Sequence, residues 1–407
     1  MMEQIYTIEK LDHQGRGIIR ENGIVIFVEN ALPKEKVEIQ ITKEKKNLKE
    51  AKVLNYHKQS CDRITPRCPY YKECGGCHVM HMPYKKQLEW KREKVKEIMM
   101  KFVSSNFPIQ EIVASEEWNY RNKATFQVRK EIGYFEYKSN LIVPIEHCDI
   151  VDLKINHLFS IIAELDVSDS SQIIFRASKN TNQTMIILDT KAFVGKNIID
   201  SLKPYTTSIY QKGKEWKLLY GKSYIEETIG DFIFKISPNS FFQVNTKQAE
   251  TLYQLVLKYA SLTRDDCVLD LYCGTGTIGL YLSKFCKQVL GIEINRQAII
   301  DARENQKRNH IDNAEFICSD VATIVDKIKE DYSVIIVDPP RSGLDDKTLF
   351  YLKNCNAKRI VYVSCDPVTL ARDLKELKEI YHIDELTPVD MFPQTYHVEC
   401  VCVLNRR

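Results

Sequence analysis

The spacing of apolar residues changes twice along this chain, and each change marks a different kind of structure. Up to residue 55, short apolar runs alternate with polar positions, at 5–8, Gly17-Ile18-Ile19, 24–28 and 36–41. Gly15, Gly17, Gly23 and Pro33 punctuate them, and a charge-rich stretch over 43–52 closes the region. Period-two alternation broken by glycine turns predicts a small OB-like β-barrel over 1–55. From 56 to 236 the texture is mixed. Leu88, Val95, Ile98 and Met99 fall at helical spacing, whereas 124–128, 172–176 and 184–188 read as strands, which predicts a central α+β domain. Beyond Pro238 the pattern becomes regular. A helix is predicted over 248–259, a strand over 267–271, a helix over 279–287, a strand over 289–293 and a helix over 298–309. Further strands are predicted at 314–317, 333–337 and 359–363. Strands alternating with helices predict an α/β, doubly wound, mostly parallel sheet over 237–407.

Composition narrows the class without naming a chemistry. The 407 residues, 44% hydrophobic and 28% charged, suit a soluble protein of two or three domains. No apolar run reaches the roughly 18 residues of a membrane span, and residues 1–10 hold no signal core, so a cytoplasmic protein without a membrane partner is expected. Thirteen cysteines in such a chain point to catalysis or metal rather than disulfides. The net charge of +3 says little, but residues 56–104 hold eleven Lys/Arg against five Asp/Glu. Much of that excess lies on the predicted helix at Lys85, Lys86, Lys91, Arg92, Lys94, Lys96 and Lys101. A solvated helix face is the plain expectation, and contact with a polyanion the sharper one.

Chemistry concentrates at strand ends. Val361-Tyr362-Val363-Ser364-Cys365-Asp366-Pro367 delivers a thiol to the carboxyl end of a strand, where open α/β sheets keep their ligands. Upstream, Asp270-Leu271-Tyr272-Cys273-Gly274-Thr275-Gly276-Thr277 reads as strand, glycine turn and helix start, with no lysine for a triphosphate. Glu293 ends the next strand, placed to accept hydrogen bonds from ribose hydroxyls. Asp320 and Asp338-Pro339-Pro340-Arg341 end the following two. Each acid alone reads as a helix cap. Together at successive strand ends they read as a cofactor site that suits NAD or S-adenosylmethionine, and Asp338-Pro339-Pro340 resembles the fourth motif of adenosylmethionine-dependent methyltransferases, which favours the latter.

These residues resemble the RNA 5-methyluridine methyltransferase family. The likeness rests on Ser237-Pro238-Asn239-Ser240-Phe241-Phe242-Gln243-Val244-Asn245, the glycine turn, Asp338-Pro339-Pro340-Arg341-Ser342-Gly343, Val363-Ser364-Cys365-Asp366-Pro367 and His397-Val398-Glu399-Cys400-Val401. It spans nearly the whole chain, for the amino-terminal barrel is similar to a TRAM domain. Pro33-Lys34 and Asp366 are small departures from the family pattern. The resemblance implies a Rossmann-like methyltransferase domain that binds S-adenosylmethionine through Gln243, Tyr272, Gly274, Thr277, Glu293, Asp320 and Asp338. It implies Cys365 as nucleophile and Glu399 as base. The expected substrate is a uridine of RNA, 23S rRNA first and tRNA second, for a chain expected to be monomeric. A noncatalytic RNA-binding ribosome-assembly factor is the alternative of another class.

A second cysteine group stands apart. Cys61, Cys68, Cys74 and Cys77 fall within seventeen residues, and Cys148 is a distant fifth. Four near thiols read as a tetrahedral zinc site. The resemblance instead implies a [4Fe-4S] cluster on Cys68, Cys74, Cys77 and Cys148, with Cys61 spare. Spacing does not separate the two metals. Trp118-Asn119-Tyr120-Arg121-Asn122-Lys123, aromatic and basic together, is a candidate part of the RNA surface.

Overall fold

In the computed structural model, which describes residues 4–328 and 330–407, three large sheets and a hairpin follow one another along the chain. The first is six-stranded, over a small core of Ile8, Ile19, Ile26, Val28, Val37 and Ala51. Its long hairpin, Lys36–Lys45 with Leu48–Lys58, replaces the charge-rich end expected after residue 43. Three register shifts along that pair explain the discrepancy. Bulges reset which side chains face the core, so the period-two signal dissolves in the sequence.

The second sheet has seven strands, with helices Leu153–Ala163 and Lys196–Leu202 nearby in the same α+β region. Within this region the Tyr84–Phe102 helix leaves its neighbours. Its Val95, Ile98 and Met99 join the core formed by Leu269, Leu271, Tyr362 and Cys400. The expected solvated basic face is only partly present, because Lys91 and Lys94 lie in the interior. Lys91 Nζ sits 2.6 Å from Asp390 Oδ1. The Trp118 to Lys123 stretch also turns inward. Tyr120 and Asn122 are buried, and the Asn122 amide donates to the Gln243 carbonyl and to Thr246 Oγ1, both at 2.9 Å.

The third sheet positions the chemistry. Its order is Ala314–Cys318, Gln288–Glu293, Cys267–Leu271, Val334–Val337, Arg359–Ser364, Glu399–Arg406 and Tyr381–Val389. The first five are parallel, and Glu399–Arg406 runs antiparallel to both of its neighbours. Parallel strands covered on both faces need continuous apolar runs, and Val-Ile-Ile-Val over Val334–Val337 is buried throughout. The helix after the glycine turn spans Thr277–Ser283 rather than 279–287. It starts as soon as Gly276 has reversed the chain at φ +74°. No helix among the described residues is long and apolar enough to cross a membrane.

Candidate active site

A cleft of about 690 Å³ opens along the carboxyl ends of the five parallel strands. Strand order reverses there, between Cys267–Leu271 and Val334–Val337, and loops from the two sides diverge to leave a crevice. Gln243, Tyr272, Gly274, Thr277, Glu293, Asp320 and Asp338 all line it. So do Cys365 and Glu399. The residues singled out in the sequence for cofactor and for chemistry therefore share one cavity.

The glycine turn forms the floor. Gly274 holds φ +55°, and a Cβ built there would meet nothing within 4 Å, so the backbone lies open to a ligand. At Gly276 a Cβ would lie 2.7 Å from the Phe316 ring, which requires glycine at that position. Tyr272 takes a left-handed φ of +63° although it is no glycine, strain of the kind found at binding sites. Its hydroxyl is held by Asp345 Oδ2 at 3.2 Å. Glu293 accepts from the Gly274 N–H at 3.2 Å and the Asn295 N–H at 2.7 Å, which fixes a carboxylate at the strand end. Tyr253 donates to Thr277 Oγ1 at 2.8 Å and so orients it. Asp320 caps the Val321–Ile324 helix through the Ala322 N–H at 3.0 Å, so the plain capping role and a place in the cleft hold together.

The cleft gathers acids with little to neutralise them. Asp270 is pushed up to about 8 by burial and then by Asp338, and its Oδ1 has no hydrogen-bond partner. Burial alone raises Asp338 to about 7. Glu399 rises to about 8 through burial and the neighbouring Asp338, with Arg341 opposing. Among the described residues, Asp270 Oδ2 accepts only from the Gly279 N–H, at 3.0 Å. Buried carboxylates so sparsely paired are costly and fit a ligand that brings positive charge and donors. The α-ammonium, sulfonium and ribose of S-adenosylmethionine are such groups.

Register explains why the thiol and the glutamate meet. Cys365 follows directly on Arg359–Ser364, and the antiparallel partner strand pairs Ser364 with Cys400. Glu399, one residue before Cys400 in a strand of opposite direction, thereby lies at the same end of the sheet as Cys365. Burial first, then the charges of Glu399 and Asp338 against that of Arg341, raise the Cys365 thiol to about 11. At that value the sulfur keeps its proton at neutral pH. Phe392 and His397 complete this wall, and burial and then Arg341 hold His397 down at about 3, hence neutral.

The other cysteines divide as well. Cys68, Cys74, Cys77 and Cys148 are partly exposed and reduced, and the charges of Cys148, Cys74 and Cys68 all raise the Cys77 thiol. These four are thus neighbours although Cys148 lies far along the chain. Cys61 is exposed and lies in a separate hollow with Lys86 and Trp90. Among the described residues no group of three or more His, Cys, Asp or Glu side chains is closed tightly enough to hold a metal ion.

Sequence reasoning gave Arg341 a place at the flipped base but passed over Asp270 and His397, which line the cleft, and Lys91 behind its wall. Asp270 and His397 stand inside quoted motifs, and the place of Asp270 at a strand end was signal enough. Lys91 gave none, since its partner Asp390 is 299 positions away.

Comparison with known proteins agrees with this geometry. Residues 83–407 match the model of the tRNA (Uracil-5-)-methyltransferase family, and residues 6–54 match the TRAM domain. An uncharacterized RNA methyltransferase of Staphylococcus aureus (strain COL) is 37% identical over 442 residues, covering 98% of this chain and 97% of that protein. One of Clostridium tetani is 37% identical, with 96% and 94% covered. Among solved structures, the Pyrococcus abyssi tRNA (uracil-54, C5)-methyltransferase in complex with S-adenosyl-L-homocysteine is similar at a TM-score of 0.81. It is 29% identical, with 98% of this chain and 100% of that one covered.

Proposed function

The chain belongs to the tRNA (uracil-5-)-methyltransferase family, and from that membership we propose that it methylates a uridine of ribosomal RNA through a covalent Cys365 adduct. It is an S-adenosylmethionine-dependent RNA uracil-C5 methyltransferase carrying a TRAM domain. The observation that supports the covalent mechanism is the shared cleft, whose lining includes both Cys365 and Glu399 together with the glycine turn.

Carbon 5 of uracil is too poor a nucleophile to take a methyl group unaided. The Cys365 thiolate adds to carbon 6, the ring double bond moves its electrons toward carbon 5 and the 4-carbonyl, and an enolate forms. Carbon 5 then attacks the methyl carbon as its bond to the sulfonium sulfur breaks. Glu399 takes the proton left on carbon 5, carbon 5 and carbon 6 regain their double bond, and the thiolate departs. Asp270 and Asp338 hold the cationic part of the methyl donor, with Gln243, Tyr272, Gly274, Thr277, Glu293 and Asp320 around the rest. A cation beside these acids lowers Cys365 and Glu399 from about 11 and about 8 toward their working forms. The target base leaves its stack to reach the sulfur, at a cost of a few kcal/mol.

The division into a barrel over 1–55, a central region over 56–236 and a catalytic region over 237–407 belongs to this proposal. So does a [4Fe-4S] cluster on Cys68, Cys74, Cys77 and Cys148. Thiolate-only ligation suits such a cluster, and the resemblance supports iron over zinc. Transfer RNA is the second reading, favoured by the Pyrococcus abyssi likeness over both full chains.

One experiment tests both levels. Glu399→Gln is expected to accumulate a protein–RNA band on a denaturing gel, and Cys365→Ala to give none and no methyl transfer. Sequencing the RNA in that band distinguishes ribosomal from transfer RNA. Normal turnover of Cys365→Ala would remove the mechanism.

A further inference from the structure

The Tyr84–Phe102 helix carries Gln87, Lys91 and Lys94 at positions i, i+4 and i+7, which places them on one face. All three are buried, at 1%, 0% and 8% exposure. A polar stripe in the interior of a helix packing is costly unless each group is used. Each is used on the same stretch of chain, residues 390–396. Lys91 Nζ donates to Asp390 Oδ1 at 2.6 Å and to the Phe392 carbonyl at 3.1 Å. The Gln87 amide donates to Gln394 Oε1 at 2.8 Å, and its Oε1 accepts from the Gln394 N–H at 3.1 Å. Lys94 Nζ donates to the Tyr396 carbonyl at 2.6 Å and, across to the barrel, to the His13 carbonyl at 3.1 Å.

Alternate residues 390, 392, 394 and 396 are thus fastened to successive turns of one helix. Phe392 of this stretch faces the cleft, as do His397 and Glu399 just beyond it, where Glu399 opens the strand Glu399–Arg406 opposite Val389. Gln394 is itself held at φ +68°, a conformation that a non-glycine residue keeps only when its surroundings over-determine it. Its carbonyl also accepts from the N–H groups of His78 and Val79 at 2.9 and 3.1 Å. The stretch has no regular secondary structure of its own between Tyr381–Val389 and Glu399–Arg406. Its shape comes from these bonds together with those of Asp390 to Val113, Met391 to Asn245, Pro393 to Tyr120 and Gln394 to Glu117.

We infer that Gln87, Lys91 and Lys94 are positioning residues that set Glu399 against carbon 5 of the bound uracil. They touch neither substrate nor donor. The inference rests on the proposed role of Glu399, and it predicts a defect confined to the step that Glu399 performs. Gln87→Ala and the charge-neutral pair Lys91→Met with Asp390→Asn should bind S-adenosylhomocysteine within about two-fold of the native protein and form the covalent adduct at a near-native rate. They should resolve it slowly, so that kcat falls about ten-fold with KM for RNA little changed, and a protein–RNA band persists on denaturing gels. Lys94→Met is the third variant, should either of the others fail to fold.

Glu399→Gln serves as the control. If it traps the adduct while folded stripe variants turn over at the native rate without a band, the positioning role is wrong. A loss of donor binding and adduct formation in equal measure would mark a merely structural stripe, which also overturns it. If Glu399→Gln gives no band and normal turnover, the role of Glu399 itself fails and takes this inference with it.

Discussion

Buried charge is handled in opposite ways on the two sides of the stretch that leads to Glu399. Toward the Tyr84–Phe102 helix, Lys91 and Asp390 are fully buried and meet at 2.6 Å. The barrel repeats the arrangement, with buried Glu35 accepting from Arg63 Nε at 2.6 Å and from the Leu32 N–H at 2.8 Å. Toward the cleft, Asp270, Asp338 and Glu399 crowd together, and among the described residues no cation offsets the first two. Their protons are held to about 8, 7 and 8 as a result. Paired buried charges shape the scaffold, whereas unpaired ones mark where a ligand supplies the missing partner. The Cys68, Cys74, Cys77 and Cys148 thiols are likewise raised by burial and in most cases by one another.

Single substitutions break the comparison at its strongest point first. Lys91→Met leaves Asp390 buried and alone, and is expected to cost about 3–5 kcal/mol in denaturant unfolding. Adding Asp390→Asn should return most of that loss. Asp270→Asn is the converse case. It should weaken binding of S-adenosylmethionine by about ten-fold or more in calorimetry while leaving the ligand-free protein no less stable. A folded protein that binds normally after Asp270→Asn would mean that the acid is not a ligand group.

The pH dependence follows with a definite sign. Carboxyls whose folded pKa lies above the unfolded value contribute stability that is present below the unfolded value and lost as pH rises through the folded one. Asp270, Asp338 and Glu399 all belong to this kind, with unfolded values near 4 and folded values of about 8, 7 and 8. The ligand-free melting temperature should therefore fall between pH 5.5 and 8.5, and Asp270→Asn should flatten that slope. Saturating donor should flatten it too. The smallest effect belongs to the cysteines. Anaerobically purified protein should be brown, Cys77→Ser should bleach it, and Cys61→Ser should change neither colour nor activity.

The cleft was legible for a simple reason. In a doubly wound sheet every strand ends on the same edge, so residues just after successive apolar runs must gather there. Glu293, Asp320, Asp338 and Cys365 needed little more than that rule, whereas Gln243, Tyr272 and Thr277 were placed by the family resemblance; Gln243 precedes the first strand of that sheet. Glu399 was less accessible, because its strand runs against the others and begins where they end. Its placement came from the family motif rather than from alternation. The Lys91 stripe was not legible at all. Helical periodicity assigns lysine to solvent, and only a carboxylate 299 residues away makes an interior lysine tolerable. The barrel hairpin failed for a local reason, its bulges having scrambled the alternation.

By itself the sequence determined the class of fold, the edge on which the chemistry sits and the residues that arrive there. Those follow from nearest-neighbour geometry, since strand and helix periods are written in spacing alone. The tertiary structure decided which acids lack partners, how the last strand sets Glu399 next to Cys365, and which helix fastens the wall behind them. Charge pairing, desolvation and antiparallel register depend on contacts between distant parts of the chain, and spacing along one chain carries no record of them.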